Sequence, residues 1–175
     1  MKNDLKTCAE NNKILEIRSG SHLYGTNTPE SDEDYLGIFM PPKEYVYGLK
    51  SVQEISLDIK NKNADGKNTA KAVDKKLYEF RKFIQLALGS NPNILEVLFV
   101  NKSNILSIND TGKALLDIRY SFLSKFAIPK FIGYAKSQKH KMIIRKDHFN
   151  DLQTAYQLLE TLDNNLTFGQ VYTNI

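Results

Sequence analysis

Gly20-Ser21-His22-Leu23-Tyr24-Gly25-Thr26, followed past Pro29 and Glu30 by Ser31-Asp32-Glu33-Asp34-Tyr35-Leu36-Gly37-Ile38-Phe39, is the stretch whose reading decides the fold. Before it, Ile14-Leu15-Glu16-Ile17 is a short apolar-rich run that reads as a strand. The order is then strand, Gly-Ser turn, brief helical turn, polar loop, and a second strand that begins with two carboxylates one residue apart. Residues i and i+2 of a strand share a face, so Asp32 and Asp34 project together and Glu33 points the other way. Two carboxylates side by side repel, and each raises the other's pKa, unless a cation sits between them. A divalent metal is the simplest reason for the pattern. Hard oxygen ligands suit Mg2+ or Mn2+, which complete their shells with water and substrate phosphates. The upstream turn supplies a matching phosphate cradle: Gly20 lets the backbone approach, Ser21 offers a hydroxyl, and a following helix N-terminus favours an anion.

Taken alone, Ser31-Asp32-Glu33-Asp34 is the composition of a solvated turn or a helix cap. Gly20-x4-Gly25-Thr26 is also close to a phosphate-binding P-loop, but that pattern needs a Lys after the second Gly. No Lys occurs between Arg18 and Lys43. Gly20-Ser21, ten intervening residues and Asp32-x-Asp34 together resemble the signature of the DNA polymerase β-like nucleotidyltransferase superfamily. More closely, Gly-Ser-x-x-Tyr-Gly-Thr-x-x-Pro-x-Ser-Asp-x-Asp-Tyr and Pro41-Pro42-x-x-Tyr45 resemble a family of predicted nucleotidyltransferases of bacteria and phages. Leu77-Tyr78-Glu79-Phe80-Arg81-Lys82-Phe83 and Asn91-Pro92-Asn93-x-Leu95-Glu96-x-Leu98 extend the likeness, which runs from about Gly20 to Phe99.

The resemblance implies an α/β (α+β) fold: a small mixed, twisted sheet backed by helices, with a catalytic core over residues 1–100 and a helical C-terminal region over 101–175 packed on it. It implies transfer of NMP from an NTP, with ATP the first expectation, to a hydroxyl acceptor, with release of pyrophosphate. Two Mg2+ or Mn2+ ions, about 4 Å apart as in two-metal sites generally, would be held by Asp32 and Asp34, with a third carboxylate, Asp74, on a neighbouring strand. Asp58 and Glu79 are its substitutes. Gly20 and Ser21 are expected on the β- and γ-phosphates, Tyr24, Gly25 and Ser31 elsewhere in the nucleotide site, and Lys82 or a Lys of a later helix on the pyrophosphate. The acceptor is left open between RNA, a protein hydroxyl and a small molecule. Asp74 departs from the family pattern, being followed by Lys75 where an apolar residue is expected. Longer members carry a Lys, a His and an Arg at helical spacing near their end, and the nearest match here, Asp151-x-Gln153-x3-Gln157-x2-Glu160, has lost all three. These departures support an alternative, a non-catalytic NTP- or RNA-binding module that keeps the fold; a purely structural protein is the third reading.

The chain has 175 residues, 41% of them hydrophobic, which is enough for one domain with a core. No run approaches the ~20 apolar residues that span a membrane, and the N-terminus is too polar for a signal peptide. The one Cys, Cys8, excludes an intramolecular disulfide, and with three His it argues against a structural zinc site. These features suggest the cytoplasm. Met1 to Asn12 reads as a frayed segment or a first helix, Lys13 to Arg18 as the first strand, Lys43 to Leu49 as a short helix with Tyr45, Tyr47 and Leu49 packing, and Val52 to Ile59 as the third strand. Asn61 to Ala72, with its Asp65-Gly66 turn signal, is a hairpin connection or loop. Val73 to Leu77 is the fourth strand and leads into a helix with Phe80, Phe83, Ile84, Ala87 and Leu88 at helical spacing. Gly89 and Pro92 end it.

The second half reads as helical: Pro92 to Phe99, Asp110 to Ile118 with Asp110 and Thr111 as caps, Ile128 to Arg145, and His148 to Leu162. Ile128, Phe131, Ile132, Ala135, Met142 and Ile143 form an apolar stripe expected to face a core. Ser121 to Lys146 carries Lys125, Lys130, Lys136, Lys139, Lys141, Arg145 and Lys146 with no acid, whereas Asp147 to Asp163 carries acids only. Two paired helices account for this, or else a basic surface that holds a triphosphate or an RNA acceptor. None of the three His is needed as a general base. The ending Val171 to Ile175 is read as a natural terminus or a truncation.

Overall fold

A computed structural model describes residues 2–64, 66 and 68–160. The N-terminal segment is helix α1 (Lys2–Asn11), and β1 (Lys13–Arg18) follows with its four central residues buried. The Gly-Ser turn opens a five-residue helix, α2 (Gly20–Tyr24), and the carboxylate motif leads into β2 (Glu33–Phe39). After α3 (Lys43–Val46), β3 (Glu54–Ser56) forms a short edge, and β4 (Val73–Glu79) runs straight into α4 (Phe80–Leu88). Next come α5 (Pro92–Leu98), β5 (Ile105–Ile108), α6 (Asp110–Asp117) and α7 (Ala127–Glu160).

The five strands form one mixed sheet in the order β3-β4-β2-β1-β5. β2 lies antiparallel to β1 and parallel to β4, while β3–β4 and β1–β5 are antiparallel. The result is the mixed α+β sheet backed by helices expected from the sequence. One face carries Ile17 and Ile38, which pack with Phe83 and Ala87 of α4, Leu95 and Leu98 of α5, and Leu115 of α6. On the other face Phe39, Ile55 and Leu77 pack against Ala9 of α1.

Local chemistry sets the helix ends. Glu79 accepts from the backbone N of Lys82 (2.9 Å) and Asn91 from that of Ile94 (3.3 Å), each supplying the side-chain acceptor that an N-terminus lacks. Asn109, rather than Asp110 or Thr111, caps α6 by accepting from Gly112 N at 2.9 Å. After α4 the left-handed residue is Ser90 (φ 55), while Gly89 has φ −74. Asn91 N then reaches back to Leu86 O, so the C-terminal closure is made one residue later than the glycine suggested.

Several expectations are corrected, beginning with the third strand, which spans only Glu54–Ser56 and not Val52 to Ile59. Ile105–Ile108 is a strand, not part of an all-helical second half; its four residues are too few for periodicity to show, and pairing with β1 decides it. The two C-terminal helices are one continuous helix, since nothing between Arg145 and His148 breaks the backbone pattern. The basic and acidic blocks therefore follow each other on α7 and do not pair as two helices. Ile128, Phe131, Ile132 and Ile143 of the expected stripe are exposed. Tyr47 (85% exposed) and Leu49 do not pack either, and Tyr45 sits under the ammonium of Lys50. The described chain forms two compact units that divide between Lys130 and Phe131. The Val171 to Ile175 ending lies outside the described residues, as does Asp65 of the turn signal.

Candidate functional site

β1 ends at Arg18, and the backbone N of Ser19 donates to Asp34 O at 2.8 Å, which fixes the turn against the start of β2. Gly20 then takes φ +60, a left-handed conformation that L side chains rarely adopt. A Cβ at Gly20 would lie 1.8 Å from Oδ2 of Asp34, so the carboxylate rests where only a glycine leaves room. The glycine is thus required by the backbone and by the carboxylate it faces.

Asp34 and Asp74 are directly opposite in the parallel β2–β4 ladder, so both project from one face. Asp32 lies one residue ahead of β2 and accepts from Asn68 Nδ2 at 2.7 Å. The Asp34 carboxyl is pushed above its usual range by burial, then by the charges of Asp32 and Asp74, with His22 opposing. Three carboxylates are thus within electrostatic reach of one another. Beside them, Oγ of Ser21 and Nε2 of His22 are buried without a hydrogen-bond partner. A buried donor left unmade costs about 1–3 kcal/mol, so these two atoms are suited to a ligand group.

The remaining candidates are spread more widely. The Tyr24 hydroxyl donates to Glu96 Oε1, joining α2 to α5, and Gly25 closes α2 with φ 67. Ser31 Oγ accepts from Thr28 N at 2.9 Å within the loop before β2. Lys82 lies in the first turn of α4, beyond the opposite end of β4 from Asp74, a strand length of roughly 17 Å away at about 3.3 Å per residue. Of the substitutes for Asp74, Glu79 is buried as the α4 cap and pairs with Arg81 (2.9 Å), and Asp58 accepts from the backbone N of Lys75 (3.2 Å). Asn91 and Glu96 are accounted for by their cap and by the Tyr24 hydrogen bond. At five residues, α2 is too short to offer much of a dipole.

Two neighbours escaped sequence reasoning. His22 was set aside with the other histidines, although it stands next to Ser21 in the decisive stretch. Asn68 lies in a polar connection with no periodicity to mark it. Lys75, which looked out of place after Asp74, points to the opposite face and pairs there with Glu16 and with Glu10 (2.7 Å).

Among the described residues no three His, Cys, Asp or Glu side chains converge as a ready-made metal cluster. The donor chemistry nevertheless suits a hard divalent cation: clustered carboxylates, one raised in pKa by burial and then by the charges of the other two, beside a free hydroxyl. Such a cation is commonly held by one or two carboxylates with substrate phosphates completing its shell.

A mixed sheet that sets a Gly-Ser turn against strand-borne carboxylates defines an α+β nucleotidyltransferase-like fold. Residues 2–161 match the RNA repair pathway DNA polymerase beta family, RlaP, and the chain belongs to that family. It is also similar to an uncharacterized 38.9 kDa protein in the nrdC–mobD intergenic region of Enterobacteria phage T4, with 29% identity over 151 residues. The match covers 85% of this chain and 44% of the phage protein, so the chain spans less than half the length of that relative.

Proposed function

We propose that this chain transfers a nucleoside monophosphate from an NTP to a hydroxyl at an RNA end. The observation that carries the reading is the Asp34 carboxylate packed over Gly20 beside the unpartnered Ser21 hydroxyl, with Asp32 and Asp74 close by. The family description, an RNA repair pathway, favours RNA over a protein or small-molecule acceptor. ATP is the first nucleotide to test.

In this reading Gly20 and Ser21 hold the β- and γ-phosphates, the backbone by its close approach and Ser21 Oγ by donating to a phosphate oxygen. Tyr24, Gly25 and Ser31 keep the turn and its loop in shape around the nucleotide. Mg2+ or Mn2+, held by Asp32, Asp34 and Asp74, would neutralise phosphate charge and align the reacting oxygens when bound. The acceptor oxygen forms a bond to the α-phosphorus, the bond from the α-phosphorus to the bridging oxygen breaks, and pyrophosphate leaves. The Asp74 carboxylate takes the acceptor proton. His22, beside Asp34, is placed to donate to a phosphate oxygen. Lys82 lies at the wrong end of β4 for the pyrophosphate, so that charge is left to other groups. All these residues fall within positions 1–100, which we assign as the catalytic core, with 101–175 serving the acceptor. No described helix is long and apolar enough to cross a membrane, and we assign the reaction to the cytoplasm.

Incubation with each α-32P-labelled NTP and Mg2+ or Mn2+, with RNA as acceptor, tests the proposal. Label is expected on RNA with the wild type and reduced about a hundredfold or more with Asp32→Ala or Asp34→Ala; transfer near the wild-type rate in either variant overturns the assignment. The departures from the family pattern, Lys75 after Asp74 and the loss of the basic positions over Asp151 to Glu160, favour one alternative, a binding module that retained the fold. Metal-dependent NTP binding with no pyrophosphate release under any acceptor would establish it.

A further inference from the structure

A cavity of about 850 Å3, not lined by Asp32, Asp34 or Asp74, lies between the end of α5, the start of β5 and the segment after α6. Its wall holds an aromatic and cationic group that the proposed chemistry does not use. Phe99 and Tyr120 meet edge to face with centroids 5.5 Å apart. The guanidinium of Arg119 sits 5.9 Å from the first ring and 5.1 Å from the second. Arg119 Nη1 donates to Leu116 O at 2.9 Å, so the guanidinium is held in place by α6. Tyr120 is 66% exposed. Its neighbour Ile118 and the β5 residue Leu106 are exposed as well.

We propose that this aromatic and cationic wall is a stacking subsite for an unpaired base of the RNA acceptor strand, which deepens the RNA-acceptor reading and rests on it. Two observations favour a nucleic acid over a protein partner. The lining holds three cations, Lys102, Lys113 and Arg119, against one carboxylate, Asp117, although Lys113 is engaged by Asp110 at 2.8 Å. Protein interfaces deplete charge at their centre, whereas single-stranded nucleic acid is held by base stacking on aromatic side chains and Arg with cations along the backbone. The second observation is continuity with the candidate site. Ile105 of the lining pairs in register with Ile17, three residues before Gly20, and α5, which ends at the cavity, is tied to α2 by the hydrogen bond from Tyr24 to Glu96. A strand whose end reaches the carboxylates therefore has this wall along the same end of β1. Every base has a π-face, so the subsite grips RNA with little sequence preference.

The test uses the full chain and a fluorescein-labelled single-stranded RNA of mixed sequence, about 12 nucleotides long, which fits the site sizes seen in single-strand binders. Anisotropy is expected to show that Tyr120→Ala weakens binding about tenfold, the loss of one stacked base, while Tyr120→Phe stays within about twofold. Lys102→Glu is expected to weaken binding and to lower its salt dependence. Mg2+-NTP binding should be unchanged in all three, and 4-thiouridine in the RNA should crosslink to the peptide spanning Phe99 or Tyr120. If the wild type and Tyr120→Ala bind RNA equally, the subsite is overturned and the RNA-acceptor reading survives. If the wild type binds no RNA and labels another acceptor, both are overturned. If Tyr120→Ala instead converts a dimer to a monomer in sedimentation, the wall is a contact with a second copy, and the subsite is again overturned.

Discussion

Asp74 and Lys75 are neighbours on β4, yet they serve two different arrangements of charge on the two faces of the same sheet. On one face, Asp74 joins Asp34 and Asp32 in a group of like charges that burial and repulsion make harder to ionise at Asp34. On the other, Lys75 and Lys13 bridge Glu10 and Glu16 in a four-membered network of alternating sign. Gly37 lies on β2 between Glu16 and Leu77. A Cβ at Gly37 would come within 2.6 Å of Leu77 Cδ2 and 2.8 Å of Leu15 O. The paired face satisfies its charges from within the chain and so contributes to the fold. On the other face the charges are of one sign and repel, and it is there that the proposed function places a cation.

The largest expected effect falls on the unpaired face. Asp34→Ala should lower nucleotidyl transfer by about a hundred- to a thousandfold, the loss typical of removing one preorganised electrostatic group. Thermal unfolding of the same variant should show a Tm equal to or above the wild type, because a repelling, half-buried charge is gone. A large drop in Tm would mean that Asp34 holds the fold together and would erase the contrast between the faces.

Lys75→Met should do the reverse, with stability lost and transfer kept. Breaking a buried ion pair costs about 3–5 kcal/mol, but Lys13 still faces Glu16, so about 2–3 kcal/mol is expected in urea unfolding. A loss below about 0.5 kcal/mol would place the network among surface pairs that contribute little.

The two faces should also respond oppositely to acid. Asp34, raised in the folded state, contributes stability that is fully present below its ordinary pKa of 3.8 and is lost as pH rises through its folded value. Glu10 is lowered: burial works against its ionisation, but hydrogen bonds from Lys75 and Lys13 outweigh it. Its contribution is present above 4.5 and is lost as pH falls through its folded value. Urea unfolding of Asp34→Asn and Glu10→Gln between about pH 3 and about pH 6 separates the two slopes. At the alkaline end Lys13, raised by Glu16 and Glu10 against the opposing effect of burial, contributes stability present below 10.5 and lost above its folded value.

The smallest effect is at Asn68. Asn68→Ala removes the hydrogen bond that steadies Asp32, and since Asn68 is exposed and Asp32 only half-buried it should cost at most about 1 kcal/mol of stability. A few-fold loss of transfer measured at saturating NTP is expected. An unchanged rate would show that Asp32 needs no support from the loop.

Most of the sheet was legible because its strands carry strong local signals. β1 ran where its apolar block ran, and β4 was found from Val73, with only its last two residues missed. β5 was not legible: Ile105–Ile108 is held by pairing with β1 in a register that shifts between Glu16 and Ile17, and no local pattern encodes a distant partner. α7 was misread because charge changes sign near Asp147, which looks like a boundary but leaves the backbone indifferent. At the candidate site, the spacing of Gly20, Ser21, Asp32 and Asp34 singled out the residues of one small region. That the Asp34 carboxylate lies over the Gly20 Cα could not be read, since it depends on how a turn and a strand meet in space. The place of Lys82 was hidden for the same reason: a residue eight positions after Asp74 is near or far depending on whether the chain between them is coiled or extended.

The juxtaposition of Asp74 and Lys75 also bears on how this gene can change in length. A strand alternates its faces every residue, so one codon gained or lost at the start of β4, ahead of Asp74, would swing Lys75 toward Asp34 and turn Asp74 toward Glu16. The connection from Lys60 to Lys71 carries no such alternation of faces, and its described contacts are local, a bridge of Lys62 with Asn68 and the Thr69–Asn61 hydrogen bonds, besides the hydrogen bond that Asn68 gives to Asp32. Insertions and deletions should therefore accumulate in that connection, while the seven residues of β4 keep their number.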